Sequence, residues 1–129
     1  MKVNGSFDVK MTAEPPFDAV EGITLGRARF DKRFTGPLDA TSVVHMLSCL
    51  DAAKSSGAYS ALERVTGSIG GKTGTFVLQH TGVMDAGRPS LVVTVVPGSG
   101  TGELIGLRGR MEIRIEQGAH FYELDFELA

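Results

Sequence analysis

The chain has no tryptophan, one cysteine and 5 prolines in 129 residues. The lone Cys49 cannot close an intramolecular disulfide, which sets aside the disulfide-stapled secreted scaffolds and fits a reducing compartment. Scarce proline, without any low-complexity run, argues against disordered and polyproline segments. No sign of charge dominates: 13 basic residues meet 15 acidic ones, for a formal net charge of −2. Charge this evenly interspersed leaves no footprint for nucleic acid and no polybasic segment for a membrane surface. Long apolar runs are missing as well. The longest, Leu91 to Val96, is broken by Thr94 and is far too short to span a bilayer. The opening residues, MKVNGSFDVK, alternate polar and apolar and lack the apolar centre of a signal peptide, so a cytoplasmic location is expected. Without secretion, the match of Asn4-Gly5-Ser6 to a glycosylation acceptor is chance.

What the chain does have is glycine, 17 residues of it, a hydrophobic fraction of 42%, and a pattern of period two. Residues 1–129 have the size of one domain, long enough to bury roughly two thirds of the unfolded surface in a single core. Phe7, Val9 and Met11 alternate with Ser6, Asp8 and Lys10. Leu25 to Phe34 carries Arg27, Arg29, Asp31 and Arg33 on one face. Ala58 to Ile69 alternates, as does Thr73 to His80, where Phe76, Leu78 and His80 share a face. Ser90 to Val96 is a β-branched run expected to be buried on both faces, and Glu103 to Leu107 reads as a short strand. Met111, Ile113 and Ile115 face away from Glu112, Arg114 and Glu116, and Tyr122, Leu124, Phe126 and Leu128 share the apolar side of the last run. Residues 41–55 also fit an amphipathic helix through Val44, Leu47 and Leu50, but Val43-Val44 and the lack of caps favour a strand.

Turn signals separate these runs. Gly70-Gly71 links two strand patterns as a tight hairpin, and Asp85 to Pro89, Pro97 to Gly100 and Gln117 to Ala119 are further turns. Many short strands, short connections and no internal repeat predict an all-β protein, a closed antiparallel eight-stranded β-barrel in one domain. Closure also suits a chain with few prolines to protect its edges.

Three stretches carry a family resemblance: YSALER from Tyr59, GKTGTFVLQH from Gly71 and VPGSGTGEL from Val96. With FYELDF from Phe121 and the region of Gly36, they cover nearly the whole chain, and SGTGEL is the most specific piece. The chain resembles the bacterial domain-of-unknown-function family 3224, which is similar in fold to allene oxide cyclase and the plant dirigent proteins. The resemblance implies a small eight-stranded barrel with a hydrophobic interior, and a homo-oligomer, dimer or trimer. It assigns no reaction, since fold does not carry function.

Candidate chemistry rests on polar residues in apolar company. Tyr59, Ala61, Glu63 and Val65 share a face. If that face points inward, Glu63 is a carboxylate in a dry cavity, where burial raises its pKa and suits it to acid or base work. The competing reading is a salt bridge to one of Arg27, Arg29, Arg33 or Arg108, because buried charges are normally paired. His80 points the same way as Phe76 and Leu78, either as a base or as a hydrogen-bonded core residue, with Gln79 on the opposite face. Glu63 and His80 are the catalytic candidates; Tyr59, Gln79, His45, Glu103 and Tyr122 are the ligand-binding ones. His45 and Cys49, four apart, form no evident activated pair. Three histidines, 45, 80 and 120, lack metal-ligand spacing, so neither a metal nor a cofactor is expected.

Two glycine-rich runs are decoys. Gly67 to Thr73 ends like a phosphate loop but has Thr66 where a glycine is required, and a strand follows instead of a helix. Gly98-Ser99-Gly100-Thr101-Gly102-Glu103 has Glu103 at the last glycine position of a dinucleotide motif, with no βαβ unit around it; a sharp turn or bulge is expected, with Glu103 either lining the barrel mouth or, as is favoured, capping the turn. The sequence therefore points first to a module binding a small apolar molecule in the barrel interior or mouth. An isomerase or cyclase using Glu63 comes second, and a packed homo-oligomerisation domain third.

Overall fold

The computed structural model describes residues 1–128 and is all-β apart from one turn of 3-10 helix. Its strands are β1 (Lys2–Ala13), β2 (Asp18–Val20), β3 (Ile23–Thr35), β4 (Leu38–Leu50), β5 (Gly57–Ile69), β6 (Lys72–Asp85), β7 (Arg88–Val95), β8 (Arg108–Glu116) and β9 (Ala119–Glu127). From β2 to β9 each strand pairs antiparallel with the next, and β9 returns to pair with β1, which skips β2 and pairs with β3. The ring β1-β3-β4-β5-β6-β7-β8-β9 is a closed eight-stranded barrel. The short β2 takes over the edge of β3 where β1 stops, as though one strand had been interrupted.

Local chemistry explains the connections. The hairpins at Glu21-Gly22, Gly70-Gly71, Ala86-Gly87 and Gln117-Gly118 all hold both turn residues at positive φ, between 49° and 88°. That is the primed-turn geometry whose twist matches the flanking strands. The segment that fitted either helix or strand is strand through Leu50. Its β-branched residues stack between full ladders to β3 and β5, and alternation buries Ala40, Ser42 and Val44 while leaving Thr41 and His45 exposed.

Two expectations give way. Ser90 to Val96 is not buried on both faces: Val93 and Val95 point inward, but Val92 is 60% exposed on the outside of the barrel. A barrel wall has one wet face, unlike a parallel sheet covered by helices. Glu103 to Leu107 is not a strand. The 3-10 turn Gly102–Leu104 folds Leu104 and Leu107 across one end of the barrel, where both are fully buried.

That end is closed. Phe34, Leu38, Val65, Phe76, Leu78, Leu124 and Phe126 pack there with Leu104 and Leu107. Tyr122 sits in the same core, its ring edge-on to Phe34 at 5.5 Å. Its hydroxyl accepts from the Leu38 amide at 3.1 Å and faces the Thr35 carbonyl, tying β9 to the β3–β4 turn. Gly5 makes room for it, since a Cβ there would lie 2.7 Å from the hydroxyl. At the opposite end the inward-pointing Met11, Leu91 and Ile115 are 58%, 41% and 64% exposed, so the barrel is open there.

Candidate functional site

The open half of the barrel is a cup with a polar floor. Its cavity, about 340 Å³, is walled by Val9, Phe30, Met46, Ala61, Leu91 and Ile113, among others. A second apolar cavity of about 370 Å³ abuts it at Met46, Tyr59 and Leu91 and reaches the rim. Tyr59 stands in the wall because Gly82, its cross-strand partner, lacks a side chain; a Cβ on Gly82 would lie 2.2 Å from the tyrosine ring.

The floor is a buried cluster spread over four adjacent strands: Lys32 on β3, Ser42 on β4, Glu63 on β5 and His80 on β6. Lys32 is directly opposite Ser42, whereas Ser42 opposes Val65 and His80 opposes Ala61. The cluster therefore runs diagonally, as tilted barrel strands require of residues at one level. Glu63 has no exposed surface. Its Oε1 accepts from Lys32 Nζ at 3.3 Å and lies 2.7 Å from His80 Nε2, and its Oε2 accepts from the Ser42 hydroxyl. Burial opposes the charge more strongly than any other single influence. The His80 bond, the Lys32 charge and the Ser42 bond together outweigh it and hold the Glu63 carboxyl below its ordinary value. The expectation that burial alone would raise it is thus reversed by its partners. The expected arginine partner is also replaced. Arg29 pairs with Asp31 and Arg33 with Asp39 at the surface, Arg27 with Glu14, and the buried cation is Lys32.

An ionised Glu63 can only accept, so His80 Nε2 carries the hydrogen, and in the neutral form of the ring the lone pair is on Nδ1. Nδ1 has no hydrogen-bond partner among the described residues, yet no unpartnered polar side-chain atom among them is sealed from solvent. Since His80 lines the cup, Nδ1 is open to the cavity. Lys32 packs its ammonium 4.8 Å from the Phe7 ring centroid, and His120 lies beside the same ring at 5.2 Å.

Of the residues singled out from the sequence, Glu63, His80 and Tyr59 meet in the cup. Gln79 and His45 face outward and are exposed, on a surface depression shared with Arg27 and Arg29. His45 and Cys49 are separated by about 13 Å of extended strand, so they form no pair. Tyr122 belongs to the closed end. So does Glu103, which does not cap its own glycine-rich turn but ties it to the start of β6: its Oε1 accepts from the Thr73 amide and hydroxyl, both at 3.1 Å. Those bonds, the amide first, hold the Glu103 carboxyl below its ordinary value. Lys32 and Ser42 were missed. The signal for Lys32 was present, since parity with Phe30 and Phe34 puts it on the inward face, one step off the arginine stripe. A larger depression of about 680 Å³ lies outside β1, β8 and β9, but solvated Glu112, Arg114 and Glu123 line it and no buried charge faces it. No group of three potential metal ligands occurs among the described residues, and no helix there is long and apolar enough to cross a membrane.

Comparison with known proteins places this geometry in company. A family described as "Protein of unknown function (DUF3224)" matches residues 3–126. The crystal structure of a protein with unknown function from that family, from Shewanella oneidensis MR-1, is similar with a TM-score of 0.93 and 48% sequence identity. The match spans 100% of this chain and 98% of the other. Neither finding bears on the likeness to allene oxide cyclase or dirigent barrels. No curated protein matches the chain.

Proposed function

The chain belongs to the DUF3224 family, whose function is unknown, and on that footing we propose that its barrel binds one small, mainly apolar molecule in the open-end cup. One observation carries the reading: a mainly apolar cavity of about 340 Å³ with Lys32 and His80 at its floor and only Tyr59 and His120 as further polar side chains in its lining. That volume is within the range of small-molecule sites, roughly 300–1,000 Å³, where apolar walls supply affinity and a few polar atoms fix orientation. The floor balances its own charge, Lys32 against Glu63, so the occupant needs no net charge of its own. It needs one polar end, with a hydrogen for His80 Nδ1 or an acceptor for the remaining Lys32 N–H groups.

Titration with the neutral fluorophore N-phenyl-1-naphthylamine tests this. Saturable one-to-one binding is expected, and Ala61→Phe, which fills the cup from its wall, should weaken it at least tenfold. A linear, unsaturated signal, or equal affinity in Ala61→Phe, rejects the reading. Assembly into a homo-oligomer is part of the same proposal. It is supported by Leu47, Leu62 and Val92, each more than half exposed on the outer faces of β4, β5 and β7. Sedimentation velocity should show a species larger than 13.7 kDa. A monomer at high concentration removes that part.

A further inference from the structure

We propose that the cup floor is a proton-abstraction site, with His80 Nδ1 as general base and Lys32 as the group facing the developing oxyanion, acting on an apolar carbonyl compound. This rests on the cup being a binding site. Two unused capacities on one carboxylate oxygen carry it. His80 Nε2 and Lys32 Nζ both sit on Glu63 Oε1, at 2.7 and 3.3 Å, so these two nitrogens are within about 6 Å of each other and Nδ1, across the ring, is within about 8 Å of the ammonium. In its neutral form His80 has a free lone pair on Nδ1, and Lys32 has two N–H groups without an acceptor among the described residues. Both residues line the same apolar cavity. Glu63 is enclosed, with both oxygens occupied, so it is a positioning residue and not the base.

The step balances within the site. Nδ1 takes a proton from the carbon beside the carbonyl. The C–H pair becomes the new C=C bond, and the C=O π pair moves to oxygen, against the Lys32 ammonium. The imidazolium so formed donates from Nε2 to the Glu63 carboxylate, so positive and negative charges alternate along Lys32, enolate, His80 and Glu63. Where the carbonyl compound carries a β,γ C=C bond the anion is a dienolate, and return of the proton to its γ carbon moves the double bond and gives the conjugated isomer. No oxidant, reductant or metal takes part in this step. The titratable groups facing His80 across the cup are Lys32 on β3, Glu63 and Tyr59 on β5, and His120 on β9. The cup-lining residues of β1, β4, β7 and β8 carry none.

The test uses 5-nitrobenzisoxazole, an apolar carbon acid small enough for the cavity. Removal of its ring C–H proton breaks the N–O bond and releases a coloured phenolate, so turnover reports a base in an apolar site whatever the natural substrate. Saturable turnover is expected. His80→Gln should lower kcat/KM on the order of 10²–10⁴-fold, the usual contribution of a positioned base. Glu63→Gln should lower it by less and move the rising limb of the pH–rate profile to lower pH, which a merely structural role would not do. Ala61→Phe, which retains the His80 residue but fills the cavity directly across the ladder from it, should abolish saturation. Equal turnover by His80→Gln or Ala61→Phe overturns the proposal, as does an unmoved pH profile in a folded Glu63→Gln. N-phenyl-1-naphthylamine binding on the same preparations separates the two failures. Fluorophore bound without turnover overturns the base and leaves the cup standing, whereas no fluorophore binding overturns both.

Discussion

At the residue scale, Glu63 concentrates the largest electrostatic stakes. A carboxylate with no exposed surface is tolerated because Lys32, His80 and Ser42 occupy both its oxygens. Removing the carboxylate alone leaves the Lys32 ammonium buried and unpaired. Glu63→Ala should therefore cost about 3–5 kcal/mol, read by urea denaturation, while Glu63→Gln keeps the shape and some hydrogen bonds and costs less. The pH dependence has a definite sign. The Glu63 carboxyl is lower in the folded protein than its ordinary 4.5. Its stabilising contribution is thus complete above 4.5 and disappears as pH falls through the lower folded value. Thermal melts of the wild type should fall more steeply below pH 4.5 than those of Glu63→Gln. Parallel acid limbs in the two proteins would contradict the assignment.

At the element scale, shape and turns decide. The Tyr59 ring occupies the space that a side chain on Gly82 would need, across the β5–β6 ladder. Gly82→Val should force the ring from the wall, destabilise the fold by about 1–3 kcal/mol through overpacking, and weaken fluorophore binding. The hairpins offer the opposite outcome. Gln117 begins the β8–β9 turn at φ 50° without glycine or asparagine to relieve it. Gln117→Asn places the residue that best tolerates that region and should stabilise by up to about 1 kcal/mol, seen as a raised Tm.

At the scale of the whole molecule, the ring of strands is uneven. The β5–β6 ladder aligns residues from Gly57↔Met84 to Ile69↔Lys72, whereas β7 and β8 pair only at Val93↔Met111 and Thr94↔Arg110. Beyond that short seam the two strands part towards the open end, beside Leu91, Ile113 and Ile115 of the cup. Backbone groups without a ladder partner exchange readily. Hydrogen exchange should therefore find the amides of 90–92 and 112–114 that face the seam unprotected, and the β4–β6 amides near the closed end the slowest. An apolar ligand in the cup should slow exchange along the open half of that seam. Uniform protection around the ring would refute this picture.

Alternation by itself determined the fold class, the positions of most strands, and that Tyr59 and Glu63 share one apolar face and His80 another with Phe76 and Leu78. A pleated strand offers only two faces, and a slip of one residue would turn the whole apolar set into water. The Gly70-Gly71 hairpin was legible as a primed turn and residues 85–89 and 117–119 as turns, from their glycines, whereas the Glu21-Gly22 turn was not. Tertiary structure alone decided which inward residues meet. Lys32, Ser42, Glu63 and His80 lie on four strands and converge only through barrel tilt and ladder register, which no local pattern encodes. It also decided which end is plugged, because Leu104 and Leu107 close the barrel from a connection that reads as strand. And it reversed the sense of the Glu63 shift: burial is a property of one position, but the charges that overrule it come from residues distant in the chain.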